Sequence, residues 1–334
     1  MVFGQIVRQM RASVEVELKE TIDQISEDQY TALRSMLAYH LGWEGEGSGV
    51  EAQGKRIRPL LTLLSAAALG AGWKNALPAA AGVELLHNFS LIHDDIQDQS
   101  SARRGRPTVW VKWGVPQAIN AGDLMFTLAF RSLLKLAPVE VAQAATHTLS
   151  RACIQLTEGQ YLDIAFESSQ DLPLASYWSM IGGKTAALLA ACCELGALAA
   201  QAAPDQCRAM HNFGFALGLA FQVQDDWLGI WGEPSLTGKS VESDLVSGKK
   251  TLPVVYGLSL NKGFARRWHS GPVTPRDVPG VAALLAEEGA AQYTQQEAQR
   301  LTGEAIQALE TAGCSQAGEQ YLKDFTGQLL NRRR

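Results

Sequence analysis

Two aspartate clusters, Asp94-Asp95-Ile96-Gln97-Asp98 and Asp225-Asp226, lie about 130 residues apart in a chain that otherwise reads as apolar helix. Carboxylates on such helices cost free energy unless something cationic joins them. Hard divalent ions holding a phosphorylated substrate suit two sets of Asp best. On a helix, Asp94 and Asp98 are four residues apart and face the same way, with Asp95 turned about 100° aside. Ser90 and His87 continue that stripe one and two turns earlier. Like charges at this spacing repel slightly, and a bound divalent ion turns the repulsion into a binding site. The plainer reading is an acidic patch of solvated carboxylates at a helix end.

The basic segment Arg103-Arg104-Gly105-Arg106-Pro107 follows soon after Asp98. An acidic helix end beside a basic loop fits an ion-bridged polyanion held by bidentate arginines. Mutual Asp–Arg pairing in the empty protein fits the same residues. In the second cluster Gly218, Gln222, Asp225 and Gly229 form an i, i+4, i+7, i+11 stripe, small and polar within an apolar helix. Such a face suits a cavity lining or close helix packing, because mid-helix glycine costs about 1 kcal/mol against alanine.

Three further basic sites stand out. Gly54-Lys55-Arg56-Ile57-Arg58-Pro59 leads from a glycine loop into a helix, where cations and free N–H groups can hold phosphate. Lys184-Thr185 opens or interrupts an apolar helix after Gly182-Gly183. Lys239, Lys249 and Lys250 belong to a glycine- and lysine-rich loop behind the second Asp cluster, and no GxxxxGK[ST] pattern is present.

The elements that must position these groups are helical. Apolar residues recur at helical spacing over 5–40, then over roughly 59–69, 78–97, 115–136, 139–167, 174–200, 203–231, 251–260 and 281–330. The segment 42–54 holds five glycines and reads as a loop, and no period-2 pattern of useful length appears. The expected class is therefore all-α, a large helical bundle. No polar linker splits the 334 residues, so one domain over 1–334 is expected. A net charge of −5 gives no global pull toward nucleic acid or anionic membrane. Five cysteines without a CxxC pair suit reduced, buried thiols. The N-terminus lacks a signal-peptide core, and the apolar stretch 186–200 is short for a membrane span and interrupted by Glu194. A cytoplasmic enzyme without stable membrane insertion is expected.

In this order, GKRIRP (54–59), LLHNFSLIHDDIQD (85–98), RRGRP (103–107), GDLMF (122–126), GKTAAL (183–188), FQVQDD (221–226) and GKS…SDL…GKKTLP (238–253) resemble the trans-isoprenyl diphosphate synthase (polyprenyl synthetase) family. The likeness covers about 200 residues. It implies an all-helical bundle around a deep central cavity, normally a homodimer, that condenses isopentenyl diphosphate head-to-tail with an allylic diphosphate. It further implies that Asp94 and Asp98 hold two Mg²⁺ ions and Asp225 a third, all bridging the allylic diphosphate. Arg103, Lys184 and Lys239 would grip that diphosphate with Lys249 nearby. Lys55, Arg58, His87 and Arg104 would bind isopentenyl diphosphate, and Thr185 and Gln222 would sit by the developing allylic cation. The family's second motif is commonly DDxxD, whereas Gly229 stands here in place of its last Asp, as in a branch with DDxxG followed by Trp-Gly, here Trp231-Gly232.

In this family, bulk just before the first motif floors the cavity. Phe89 and Ser90 are the fifth and fourth residues before Asp94, about 7.5 Å of helical rise away at most. One aromatic with a small neighbour resembles a geranylgeranyl (C20) synthase, whereas two aromatics would favour farnesyl (C15), and a longer-chain synthase is the remaining alternative. Phe126 or Phe130 is the alternative floor. A terpene cyclase or a catalytically silent partner subunit would share the fold. The complete set Lys55, Arg58, His87 and Arg104 argues against the cyclase.

Overall fold

A computed structural model describes residues 3–25, 28–167, 169, 172–232 and 243–330. The chain divides into two compact units, Met1–Ser150 with Cys192–Cys207, and Arg151–Ala191 with Arg208–Arg334. Both are all-α as expected. The one sheet among the described residues is a two-stranded ribbon of two residues per strand.

The first unit begins with α1 (Phe3–Ile22), which buries Ile6, Met10, Val14, Leu18 and Ile22, each four residues beyond the last. α2 (Thr31–His40), a short α3 (Val50–Gln53) and α4 (Ile57–Ala68) follow. α5 (Leu77–Gln97) carries the first Asp motif at its C-terminal end and is buried over most of its length. The ribbon β1 (Ala102–Arg103) and β2 (Arg106–Pro107), α6 (Val109–Trp113) and α7 (Val115–Leu133) come next. α7 packs so tightly on α5 that a Cβ at Gly82 would stand 3.0 Å from the Ala129 carbonyl oxygen. Fully buried Leu61, Leu64, Leu85 and Met125 belong to this unit's core. Each such side chain contributes about 1.5–3 kcal/mol by leaving water.

The glycine loop 42–54 is shaped by Arg106 of the ribbon. Its guanidinium donates to the Tyr39, Glu44 and Glu46 carbonyls at 2.8, 2.5 and 2.9 Å and lies 3.9 Å over the Tyr39 ring. Tyr39 returns a bond from its hydroxyl to the Pro107 carbonyl at 2.8 Å. Arg56 is equally structural, donating to Glu15, Glu84 and the Leu41 carbonyl from a fully buried side chain.

α8 (Val139–Glu167), α9 (Leu174–Ile181), a π-turn over Gly182–Ala186, α10 (Ala187–Ala199) and α11 (Pro204–Trp231) follow in the chain. Then come α12 (Ser243–Val246), α13 (Leu252–Ser259), α14 (Gly263–His269), α15 (Val278–Glu287), α16 (Ala290–Thr311) and α17 (Gln316–Leu330). In the second unit Tyr177, Met180, Ala220, Val223, Leu252, Val255 and Leu301 share one core cluster.

Three sequence expectations need correction. The single helix read over 281–330 is three, interrupted at Gly289 (φ +92°) and Gly313 (φ +66°), left-handed conformations that end a helix. The pattern over 5–40 is two helices joined by a 3₁₀ turn at Asp28–Tyr30. The apolar stretch 186–200, short for a membrane span by itself, lies in a longer helical segment, Leu174–Ala199, which is long and apolar enough by length and composition. Its most apolar window is 72% buried inside the structure, as a core helix requires. All five cysteines are free thiols.

Candidate active site

Four of the basic residues singled out in the sequence meet in the first unit. Lys55, Arg58, His87 and Arg104 line one open cleft of about 590 Å³, together with Arg11 and Glu84. Its cations come from three places in the chain: the start of α4, one face of α5 and the turn of the Arg ribbon. That ribbon turns through Arg104 (φ +52°) and Gly105 (φ +73°), both left-handed, as a two-residue type I′ turn requires. The turn sends Arg104 back to the Ala52 carbonyl, to which it donates at 2.8 Å.

Arg58 lies 3.0 Å from His87 Nε2. Guanidinium has no acceptor, so His87 accepts through Nε2 and is the neutral tautomer protonated on Nδ1. Burial, then Arg58, Arg104 and Arg103, hold its pKa well below the ordinary histidine range. Burial also lowers Arg58 and Arg104 from their ordinary values. The cleft thus gathers five Lys and Arg side chains against two carboxylates, Glu51 and Glu84, and a diphosphate would relieve the excess positive charge.

The first Asp motif closes α5. Asp94 is half-buried and Asp98, at the helix C-cap, is exposed, with the two residues one turn apart on α5. Asp95 is buried and takes Arg103 Nε on both oxygens at 2.9 and 3.0 Å, with a second guanidinium nitrogen at 2.8 Å. Asp–Arg pairing is thus how Arg103 stands in this structure. One turn before Asp94, Ser90 is buried and bonds to the His87 carbonyl. Phe89 stands with its ring 4.8 Å from His93 and 5.1 Å from Phe126, which is 5.1 Å from Phe130.

The second unit holds Lys184, Thr185, Gln222, Asp225 and Lys249. Lys184 sits in the π-turn and ion-pairs with Asp163 of α8. The backbones there are so close that a Cβ on Gly159 would overlap the Lys184 nitrogen. Buried Thr185 donates to Gln222 Oε1 at 2.9 Å, and Gln222 Nε2 donates to Asp226 Oδ1 at 2.8 Å. Asp226 Oδ2 accepts from Tyr177 at 2.7 Å and from the Leu252 amide at 2.8 Å. The Gln222 carboxamide is thereby fixed in one orientation. Burial pushes the Asp226 carboxyl up to about 7 against these donors. Asp225 is half-buried on the adjacent face, Lys249 is exposed, and Lys239 lies outside the described residues. Asp163 and Tyr177 were not read from the sequence. Tyr177 is a polar side chain on the buried face of an apolar helix, visible only once the helices are packed, and Asp163 is a half-exposed carboxylate on α8 with no local signal.

The side chains of each unit fit a hard ion: Asp94 and Asp98 in the first and Asp225 in the second offer oxygen only, and no group of three His, Cys, Asp or Glu ligands is preassembled among the described residues. Mg²⁺ typically takes one or two carboxylates and completes its octahedron with phosphate and water.

A family profile for polyprenyl synthetase matches residues 48–269. The chain is 41% identical over 322 residues to a (2E,6E)-farnesyl diphosphate synthase of Mycobacterium bovis, covering 93% of this chain and 89% of the relative. It is 42% identical over 283 residues to a geranylgeranyl diphosphate synthase of Mycobacterium tuberculosis, covering 83% and 80%. Among solved structures, a polyprenyl synthetase from Streptomyces coelicolor superposes with a TM-score of 0.88 at 34% identity over 97% of this chain and 98% of that one. The chain belongs to the polyprenyl synthetase family, and it is a trans-prenyltransferase.

Proposed function

We propose that this enzyme condenses isopentenyl diphosphate head-to-tail with an allylic diphosphate to give geranylgeranyl diphosphate (C20). The cleft lined by Lys55, Arg58, His87 and Arg104 is the observation that carries the two-substrate reading, because ionising one allylic diphosphate needs no second phosphate site. In this reading those residues hold isopentenyl diphosphate, with Arg58 moving from His87 Nε2 to the phosphate. Asp94 and Asp98 hold two Mg²⁺ ions and Asp225 a third. Bound Mg²⁺ supplies the charge that stabilises a departing diphosphate.

Lys184, released from Asp163, and Arg103, Lys239 and Lys249 add cationic contacts to the allylic diphosphate. The fixed Gln222 oxygen and the Thr185 hydroxyl present dipoles to the allylic cation in an otherwise apolar wall. The proton lost after attack of the isopentenyl double bond passes to the departing diphosphate.

Product length rests on Phe89, which points from α5 ahead of Asp94 with small Ser90 beside it. A C15 product is the second reading, favoured by Phe126, whose ring braces Phe89 from α7. A cytoplasmic homodimer suits the free thiols and the exposed apolar face of α8, where Ile154 and Tyr161 are 59% and 70% exposed beside a groove of about 730 Å³. Ile154→Asp is expected to give monomers by sedimentation, and an unchanged sedimentation coefficient would remove that face from the interface.

The test is product analysis by mass spectrometry with Mg²⁺, isopentenyl diphosphate and each of the C5, C10 and C15 primers. A single C20 product is expected. A C15 or longer product would keep the chemistry and move the floor. Consumption of a primer without isopentenyl diphosphate would support a cyclase instead.

A further inference from the structure

The cleft of the first unit has a cation that no sequence motif points to. Arg11, on the N-terminal helix α1, lines it beside Lys55. It lies well before residues 48–269, which the family profile matches, and before the first of the motifs that carry the resemblance. Its Nη2 donates to the Lys55 carbonyl at 2.8 Å, across 44 residues of sequence.

We propose that Arg11 binds the diphosphate of isopentenyl diphosphate in this cleft, as a further substrate-binding residue beside Lys55, Arg58, His87 and Arg104. The inference rests on the reading of the cleft as the isopentenyl diphosphate site.

α1 meets the start of α4 on two successive turns. Glu15 stands four residues after Arg11 and so on the same face. Its carboxylate accepts from Arg56 at 2.7 Å and from the Trp43 indole at 2.6 Å. Arg56 is thus neutralised by the second turn, while Arg11 on the first turn meets an uncharged carbonyl.

The backbone at Lys55 is held from both sides. Gly54 (φ +76°) and Arg56 (φ +50°) flank it in left-handed conformations. A Cβ on Gly54 would stand 2.8 Å from the Arg104 guanidinium carbon, so Arg104 lies directly over that residue. Arg104 from the ribbon and Arg11 from α1 therefore converge on neighbouring residues of one cleft wall. A guanidinium carries five N–H donors in a fixed fork. Arg11 can keep the Lys55 carbonyl on Nη2 and give another N–H to a phosphate oxygen, a charge-assisted bond about twice as strong as a neutral one.

The test is steady-state kinetics of the full-length enzyme, with KM measured for each substrate at saturating levels of the other, alongside thermal unfolding. Arg11→Ala should raise KM for isopentenyl diphosphate by about tenfold, with KM for the allylic primer and the melting temperature unchanged. Arg11→Gln keeps an N–H donor for the Lys55 carbonyl and drops the charge, whereas Arg11→Lys keeps the charge. The lysine variant should therefore lie nearer to wild type than the glutamine variant. A wild-type KM for isopentenyl diphosphate in Arg11→Ala, an equal rise in both KM values, or a glutamine variant nearer to wild type than the lysine one would overturn the proposal and leave Arg11 as a staple of the backbone. Should Arg11→Ala lower the melting temperature, the order of the other two variants decides. Arg58→Ala in the same assay separates the two readings. If it raises KM for isopentenyl diphosphate while Arg11→Ala does not, only the role of Arg11 fails; if neither does, the reading of the cleft fails with it.

Discussion

Each Asp motif contains two adjacent aspartates, and in each the first is half-buried and the second is buried: Asp94 with Asp95, Asp225 with Asp226. The buried members are compensated in opposite ways. Asp95 is met by a cation: burial raises its carboxyl above the ordinary range, and the Arg103 guanidinium offsets that rise only in part. Asp226 is met only by neutral donors, the Tyr177 hydroxyl, the Gln222 carboxamide and the Leu252 amide. The same dipeptide thus forms a charge pair in one unit and a dipole-held carboxyl in the other. The partition is physical. A group that must take up a cation has to stay accessible, and the residue 100° around the helix is free to anchor the next element.

That division is most sharply broken at the accessible members. Asp94→Ala and Asp225→Ala should each lower kcat by on the order of a thousandfold or more, several kcal/mol of lost electrostatic stabilisation. The far-UV circular dichroism should stay unchanged. Near wild-type kcat in either variant would remove it from the metal site.

The arginines give the same contrast at the next magnitude. Arg56 and Arg58 both border the cleft, but Arg56 is ion-paired with Glu15 and Glu84, whereas the Arg58 guanidinium lies against His87 Nε2. Arg56→Ala strands buried carboxylates and should cost about 3–5 kcal/mol of stability in chemical denaturation. Arg58→Ala should raise KM for isopentenyl diphosphate with a much smaller change in stability. Equal stability losses in the two would erase the distinction.

Asp226 makes a pH prediction. Its folded pKa of about 7 lies above that of a free carboxyl, about 3.9. The folded state therefore binds the proton more tightly, and this group's contribution to stability falls as pH rises from about 4 to about 7. Asp226→Asn presents an NH₂ to Gln222 or Tyr177 where an oxygen accepted, which should cost about 1–3 kcal/mol. The stability difference between wild type and Asp226→Asn should shrink between pH 4.5 and 7.5 in urea titrations. A difference that grows with pH would contradict this account of the carboxyl.

The smallest energetic effect concerns the product. Phe89→Ala removes one ring of the Phe89–Phe126–Phe130 series and should lengthen the product while leaving condensation intact. An unchanged product distribution would assign the floor to Phe126.

Much of the molecule was legible in the sequence because it follows local periodicity. The stripe Ile6–Met10–Val14–Leu18–Ile22 and the helix end at Asp98 show in residue types three to four apart, and Gly182-Gly183 marks the place where the helix over 174–199 passes through a π-turn. The breaks at Gly289 and Gly313 did not, because a lone glycine within a helical pattern reads equally as tolerated or as terminating. Long-range polar contacts were beyond reach. Nothing local tells that Arg106 serves the backbone at Tyr39 while Arg104, two residues away, faces a cleft. Nor does the pair Asp225-Asp226 reveal that Tyr177 fixes its second member. Side-chain direction across packed helices decided those cases.

The most direct test of the central claim, that the accessible aspartates carry the metal-dependent chemistry while their buried neighbours carry the architecture, is turnover of Asp225→Ala at saturating Mg²⁺ and both substrates, with its melting temperature measured on the same sample. The account predicts condensation lost and the melting temperature kept. Retained condensation, or a loss explained by unfolding, would contradict it.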